Sequence, residues 1–263
     1  MKALTIFEET FEKEVIKKNF SRREALTKGL GLGLKTALAA IPFGVLDVLE
    51  NKAQATPSNP DIIKILNYAL TLEYLEDTFY KQGLAASGLI AAGDVNIFMQ
   101  ISKHETAHVA LLQTTITSLG GTPVPAPTFD FTAGGMFPDV FTSYQRFMGL
   151  SAAFEDLGVR AYKGQAPNLA GAKDVLAAAL NIHSVEARHA SEVRRLRSSK
   201  GWINFAEADG LPGFIYDGEE NVVQLGIDVT SVTTVNIGAV TQAFDEPLSM
   251  PPVLQIVGPF IKS

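Results

Sequence analysis

The stretch Glu186-Ala187-Arg188-His189 decides how this chain is read. It lies inside a helical run from about Asn168 to Lys200. Residues three apart on a helix share a face, so Glu186 and His189 point the same way. The rest of that face is apolar: Ala179 and Ile182 precede Glu186, and Ala190 and Val193 follow it. A carboxylate on a buried stripe is costly unless a partner compensates its lost hydration. One such pair is equally compatible with a satisfied buried Glu–His contact.

A second pair of the same form, Glu105-Thr106-Ala107-His108, changes the weighing. Phe98, Ile101, Val109 and Leu112 make its stripe apolar too. Each pair has a lone Glu on the helical segment before it, Glu73 for the first and Glu155 for the second. Glu73 shares its face with Leu66, Ala69 and Tyr80; Glu155 shares its face with Met148, Val159 and Tyr162. The chain therefore reads Glu, Glu-x-x-His, Glu, Glu-x-x-His on four successive helices, a weak internal repeat that predicts a pseudo-two-fold site.

This order resembles that of the ferritin-like di-iron and di-manganese carboxylate proteins. The resemblance implies an all-α ferritin-like four-helix bundle with two iron or manganese ions. Glu73, Glu105, His108, Glu155, Glu186 and His189 would be the ligands. Glu105 and Glu186 would bridge the ions, Glu73 and Glu155 would be terminal, and each His would bind one ion. Oxygen and imidazole donors suit iron(II) or manganese(II), whereas zinc prefers fewer ligands, often with thiolate. Without metal, four close carboxylates repel, so at least one is expected to hold a proton near neutral pH. The resemblance further implies redox chemistry on O2, peroxide or Fe(II), with stress protection as its setting. Fold does not select the reaction. The competing class is a non-catalytic structural or stress-protective protein whose metal only ties the bundle together.

Connection lengths give the topology. Helix 1 is expected from Asn59-Pro60-Asp61 to about Ala86, with Gly83 and Gly88 marking its end, and helix 2 from about Asp94 to Gly120-Gly121. Helix 3 is expected from Asp139 to about Lys163, stopped by Gly164 and Pro167, and helix 4 from Asn168 to before Gly201. The first and third connections are short and make antiparallel hairpins. The second, through Thr122-Pro123-Val124-Pro125-Ala126-Pro127 to Pro138, reaches up to about 60 Å when extended. A helix of this size is about 39 Å long. This one long crossover can therefore lay helix 3 parallel to helix 2.

Composition bounds the rest. The chain has 263 residues, no cysteine and a formal net charge of -6, which excludes disulfides and Fe–S clusters and argues against nucleic-acid binding. Residues 1–55 are set apart by a slight excess of basic residues. Within them, Ser21-Arg22-Arg23-Glu24-Ala25-Leu26 resembles a twin-arginine export motif, followed by a weakly apolar run from Gly29 to Leu46 and an Ala53-Gln54-Ala55 peptidase-type site. The longest uncharged piece, Thr36 to Leu46, is too short to span a bilayer. The expected organisation is an export segment over 1–55, the bundle over 56–200 and an extension over 201–263 packed on it. The protein is expected in the periplasm, with the oligomeric state open and a homo-oligomer compatible.

In the extension, Val222 to Val229 reads as a strand, and Thr234–Phe244 and Pro251–Ile261 as short helices. Ala243-Phe244-Asp245-Glu246-Pro247-Leu248 and Val253 to Ile261 are similar to the tail of bacterial and plant ferritin-like proteins related to a desiccation-associated protein. Tyr80 and Tyr162 each follow a lone Glu by seven residues and are candidates for hydrogen bonding or electron donation to the site. One of Glu76 and Asp77 is expected to orient a ligand His. His104 points roughly 100° away from Glu105 and is not read as a ligand. His183 reads as a capping or surface group, and Arg194, Arg195 and Arg197 as surface charge complementing the helix dipole.

Overall fold

Four apolar stripes of this length need partners, and four long helices supply them to one another. The computed structural model describes residues 59–205 and 213–262. The export-type segment expected over 1–55 lies outside the described residues. The long helices are α1 (Asn59–Ala85), α2 (Val95–Ser118), α3 (Tyr144–Gln165) and α4 (Lys173–Leu196). No helix among the described residues is long and apolar enough to cross a membrane.

Cross-helix hydrogen bonds fix the directions. On α1 and α2, Tyr74 accepts from Gln113 at 2.7 Å and Asp77 accepts from Thr106 at 2.6 Å, so the numbers run oppositely. On α1 and α3, Tyr80 donates to Glu155 while Tyr162 donates back to Glu73, again oppositely. With α1 antiparallel to both, α2 and α3 are parallel, as the long crossover permits. The internal repeat extends beyond the acids: the Tyr74–Gln113 contact has its counterpart in Asp156–Arg194, 82 and 81 residues further on.

The inner helices α1 and α3 are covered on more than one side. Every residue of α3 from Phe147 to Tyr162 is buried, because the C-terminal extension lies on the face the bundle leaves open. Arg160 is the anchor. Its guanidinium donates to the carbonyls of Glu246 at 2.9 Å, Asp217 at 2.6 Å and Ile215, and pairs with Glu219 at 2.9 Å. Leu248 N–H donates to Arg160 O at 3.1 Å, drawing the tail backbone onto α3. Gly164 permits that approach: a Cβ there would sit 1.8 Å from Leu248 O. The crossover and the chain end hold each other through a bridge between Phe129 and Ile261. Phe79 joins both to the bundle by packing on Phe131, Phe147 and Phe154, with Phe260 edge-on to Phe154.

Several local expectations change. The α3 helix begins at Tyr144, because Ser143 and Thr142 N–H groups close a turn on Asp139 O and Ser143 then caps the helix through Arg146 N. A 3₁₀ turn over Ala166–Leu169 delays α4 to Lys173. Gly83 and Gly164 are inside helices, each placed for close packing, against Phe147 and Leu248 respectively. The expected strand is only a tight hairpin, β1 (Val223–Gln224) and β2 (Ile227–Asp228), turned by Leu225 and Gly226 at positive φ. The short helices are α5 (Ile237–Thr241) and α6 (Met250–Val257).

Candidate metal centre

Glu73 on α1, Glu105 and His108 on α2, Glu155 on α3, and Glu186 and His189 on α4 converge in the middle of the bundle. All four carboxylates have no exposed surface. They sort into two groups, Glu73–Glu105–His108–Glu186 and Glu105–Glu155–Glu186–His189. Within each group the potential ligand atoms lie within 4.8 Å of one another, and Glu105 and Glu186 belong to both.

The imidazoles show what the arrangement suits. His108 Nδ1 lies 3.2 Å from Glu73 Oε2, 3.1 Å from Glu105 Oε2 and 3.1 Å from Glu186 Oε1. His189 Nδ1 lies 2.9 Å from Glu105 Oε1 and 3.2 Å from Glu155 Oε2. A ring nitrogen carries at most one proton and cannot satisfy three carboxylates from three helices. Both oxygens of Glu186 and Oε1 of Glu105 are buried without a hydrogen bond. Orphaned carboxylate oxygens shared between two imidazoles are what a pair of divalent cations would satisfy, and two such ions would cancel the four negative charges. The donor set fits the group that the ferritin-like pattern implies.

The tyrosines cross the pseudo-two-fold. Tyr80, from the helix of Glu73, donates to Glu155; Tyr162, from the helix of Glu155, donates to Glu73. Each thus holds the lone Glu of the opposite half. Burial and the neighbouring carboxylates push both phenols well above their ordinary range.

Electrostatics reflect the crowding. Burial pushes Glu73 up to about 7, despite the opposing His108. Burial, then the charge of Glu73, drives Glu186 well up, and burial raises Glu155 against the pull of His189. Burial works against the charged rings, yet the carboxylates outweigh it and raise His108 to about 12 and His189 to about 11.

Three residues stand differently from the sequence reading. Glu76 is a fifth buried carboxylate of the cluster, pushed well up by burial and then by Glu186. Its counterpart on α3 is Gly158, where a Cβ would lie 3.2 Å from Glu76 Oε1 and 3.3 Å from Glu186 Oε2, so the missing side chain leaves the room that Glu76 uses. Asp77 faces outward to Lys81 and Thr106. His104 reaches across to α4, its Nδ1 2.8 Å from His189 Nε2. Arg194, expected at the surface, is buried: it grips Asp156 through two nitrogens while Tyr216 from the extension lies under its guanidinium. Asp156, the residue after Glu155, was the available signal for that pairing. His183 is half-buried, and burial lowers its pKa.

No curated protein matches the chain. A family model of the ferritin-like domain matches residues 61–199, which takes in the four long helices apart from the first two residues of α1 and is more than half of the sequence. The helix order, the crossover and the two sets of buried Glu and His residues agree with that match, and the chain belongs to the ferritin-like domain family.

Proposed function

We propose that this protein holds two iron or manganese ions between Glu73, Glu105, His108, Glu155, Glu186 and His189, and uses them for redox chemistry on O2, peroxide or Fe(II). The observation that carries this reading is the presence of two ligand groups sharing Glu105 and Glu186, with Glu105 Oε1 and both Glu186 oxygens buried without a hydrogen bond. A bound pair of such ions supplies electron transfer to a small oxidant, and the protein supplies position and electrostatics. Glu105 and Glu186, which belong to both ligand groups, would hold the two ions together. Tyr80 and Tyr162 fix the outer carboxylates and place two phenolic O–H groups beside the centre.

The proposed setting is the periplasm under oxidative or desiccation stress, reached by twin-arginine export of residues 1–55. The bundle would span 56–200 and its covering extension 201–263. Arg22→Lys combined with Arg23→Lys should retain the protein in the cytoplasm on fractionation; unchanged localisation removes the export reading.

The functional test is anaerobic loading with Fe(II) or Mn(II), followed by O2 or peroxide. Two ions per chain and consumption faster than free metal are expected, with Glu105→Ala losing both. Complete burial of the four carboxylates favours a second reading, a non-catalytic tie across the bundle. That reading takes over if loaded protein with either metal consumes neither oxidant.

A further inference from the structure

We infer that His104 positions His189 and makes the two metal positions of the centre unequal. This rests on the two-ion reading above. His189 turns Nδ1 to Glu105 and Glu155, so an ion in that group takes Nδ1. A neutral imidazole then carries its single proton on Nε2. That N–H lies 2.8 Å from His104 Nδ1, which accepts it. His104 must in turn carry its proton on Nε2, which lies 2.6 Å from the side-chain amide nitrogen of Gln100. A half-turn of that amide puts its oxygen there as the acceptor, an exchange that leaves the shape of the side chain unchanged. The two rings lie 10° from parallel with centroids 5.1 Å apart, so the line from His189 to the exposed Gln100 is a packed unit.

An acceptor on the far nitrogen of a ligand imidazole fixes the ring and strengthens its donor atom. The repeat supplies no counterpart in the other half of the centre. The residue before Glu186, where the repeat would place the equivalent of His104, is Val185, whose side chain accepts no hydrogen bond. The repeat supplies matching ligands, and this one position breaks the match. The His189 position therefore binds its ion more tightly than the His108 position.

Calorimetric titration of the metal-free full chain with Mn(II), and anaerobically with Fe(II), tests this. Wild-type protein should bind two ions in separate steps. His104→Ala should weaken the tighter step by about 10–100-fold, the usual effect of removing such a partner, and leave the weaker step in place. His104→Asn, which keeps an acceptor, should restore part of the loss; His104→Phe, which keeps only the flat ring, should not. Equal weakening of both steps, equal behaviour of Asn and Phe, or unchanged affinities would overturn the inference. Failure of wild-type protein to bind two ions would instead sink the two-ion reading itself. His104 is half-exposed on an outer face of α2, and a melting curve of each variant separates lost positioning from lost folding.

Discussion

Replacing Glu186 by Gln should stabilise the metal-free protein and weaken its response to metal. Glu186 is fully buried, neither oxygen has a hydrogen bond, and its nearest positive partner, His108 Nδ1 at 3.1 Å from Oε1, is shared with Glu73 and Glu105. The potential ligand atoms around it lie no more than 4.8 Å away. Two carboxylates at that distance repel by about 3.5 kcal/mol at an effective dielectric constant of about 20. Protonating one Glu at pH 7 costs about 3.7 kcal/mol, so the metal-free cluster gains little by either route and bears a penalty of this size. Gln removes it. For a body of this length each kcal/mol moves Tm by about 2–4 °C, so the metal-free variant should melt about 7–14 °C higher than metal-free wild type. In wild type, two ions at a hundred times their Kd should add about 5 kcal/mol, and in the variant much less.

The pH dependence has a defined sign. Glu73 is raised from 4.5 to about 7, so its contribution to metal-free stability is complete below 4.5 and is lost as pH climbs through 7. His108 and His189 are raised from 6.5 to about 12 and about 11, so theirs is complete below 6.5, starts to fall as pH passes 6.5 and is gone only well into alkali. All three make metal-free wild type melt lower at pH 8 than at pH 5. Metal must displace these protons, so the gain on loading grows over the same interval. Calorimetric melts with chelator and with Mn(II), at both pH values, measure all of this. A metal-free Glu186→Gln protein that melts below metal-free wild type would refute the reasoning.

Three further outcomes are expected. Gly164→Ala drives a Cβ into Leu248 O and should cost about 2–3 kcal/mol, with limited proteolysis showing faster cleavage near residues 245–248 while the bundle keeps its helical circular dichroism. Gly158→Ala presses on Glu76 and Glu186 by a few tenths of an ångström. It should change Tm little and lower metal affinity by about tenfold, measured by the same titration. Asp156→Ala deprives Arg194 and Tyr216 of their shared carboxylate and should cost about 3 kcal/mol by denaturant unfolding; an unchanged midpoint would show that the Asp156–Arg194–Tyr216 contact adds nothing.

The sequence by itself determined the class of fold and the six residues that meet at its centre. Helix periodicity places Glu105 with His108 and Glu186 with His189 on single faces, and the order of the four segments matches a known bundle. Connection lengths were equally legible, because a short link forces neighbouring helices antiparallel and a long one frees the next to run parallel. Periodicity gives a face but not the neighbour that face meets. Only the tertiary structure therefore brought His104 against His189, since the side chain crosses from α2 to α4 over a distance that sequence spacing does not encode. It also decided that Tyr80 and Tyr162 hold the carboxylates of the opposite halves, and that Glu76 fills the space left by Gly158. Arg194 and Gly164 looked like a surface charge and a helix stop because the extension that buries them lies far along the chain. The covering of α3 by that extension turns the one into a buried ion pair and makes the other the point where two backbones touch.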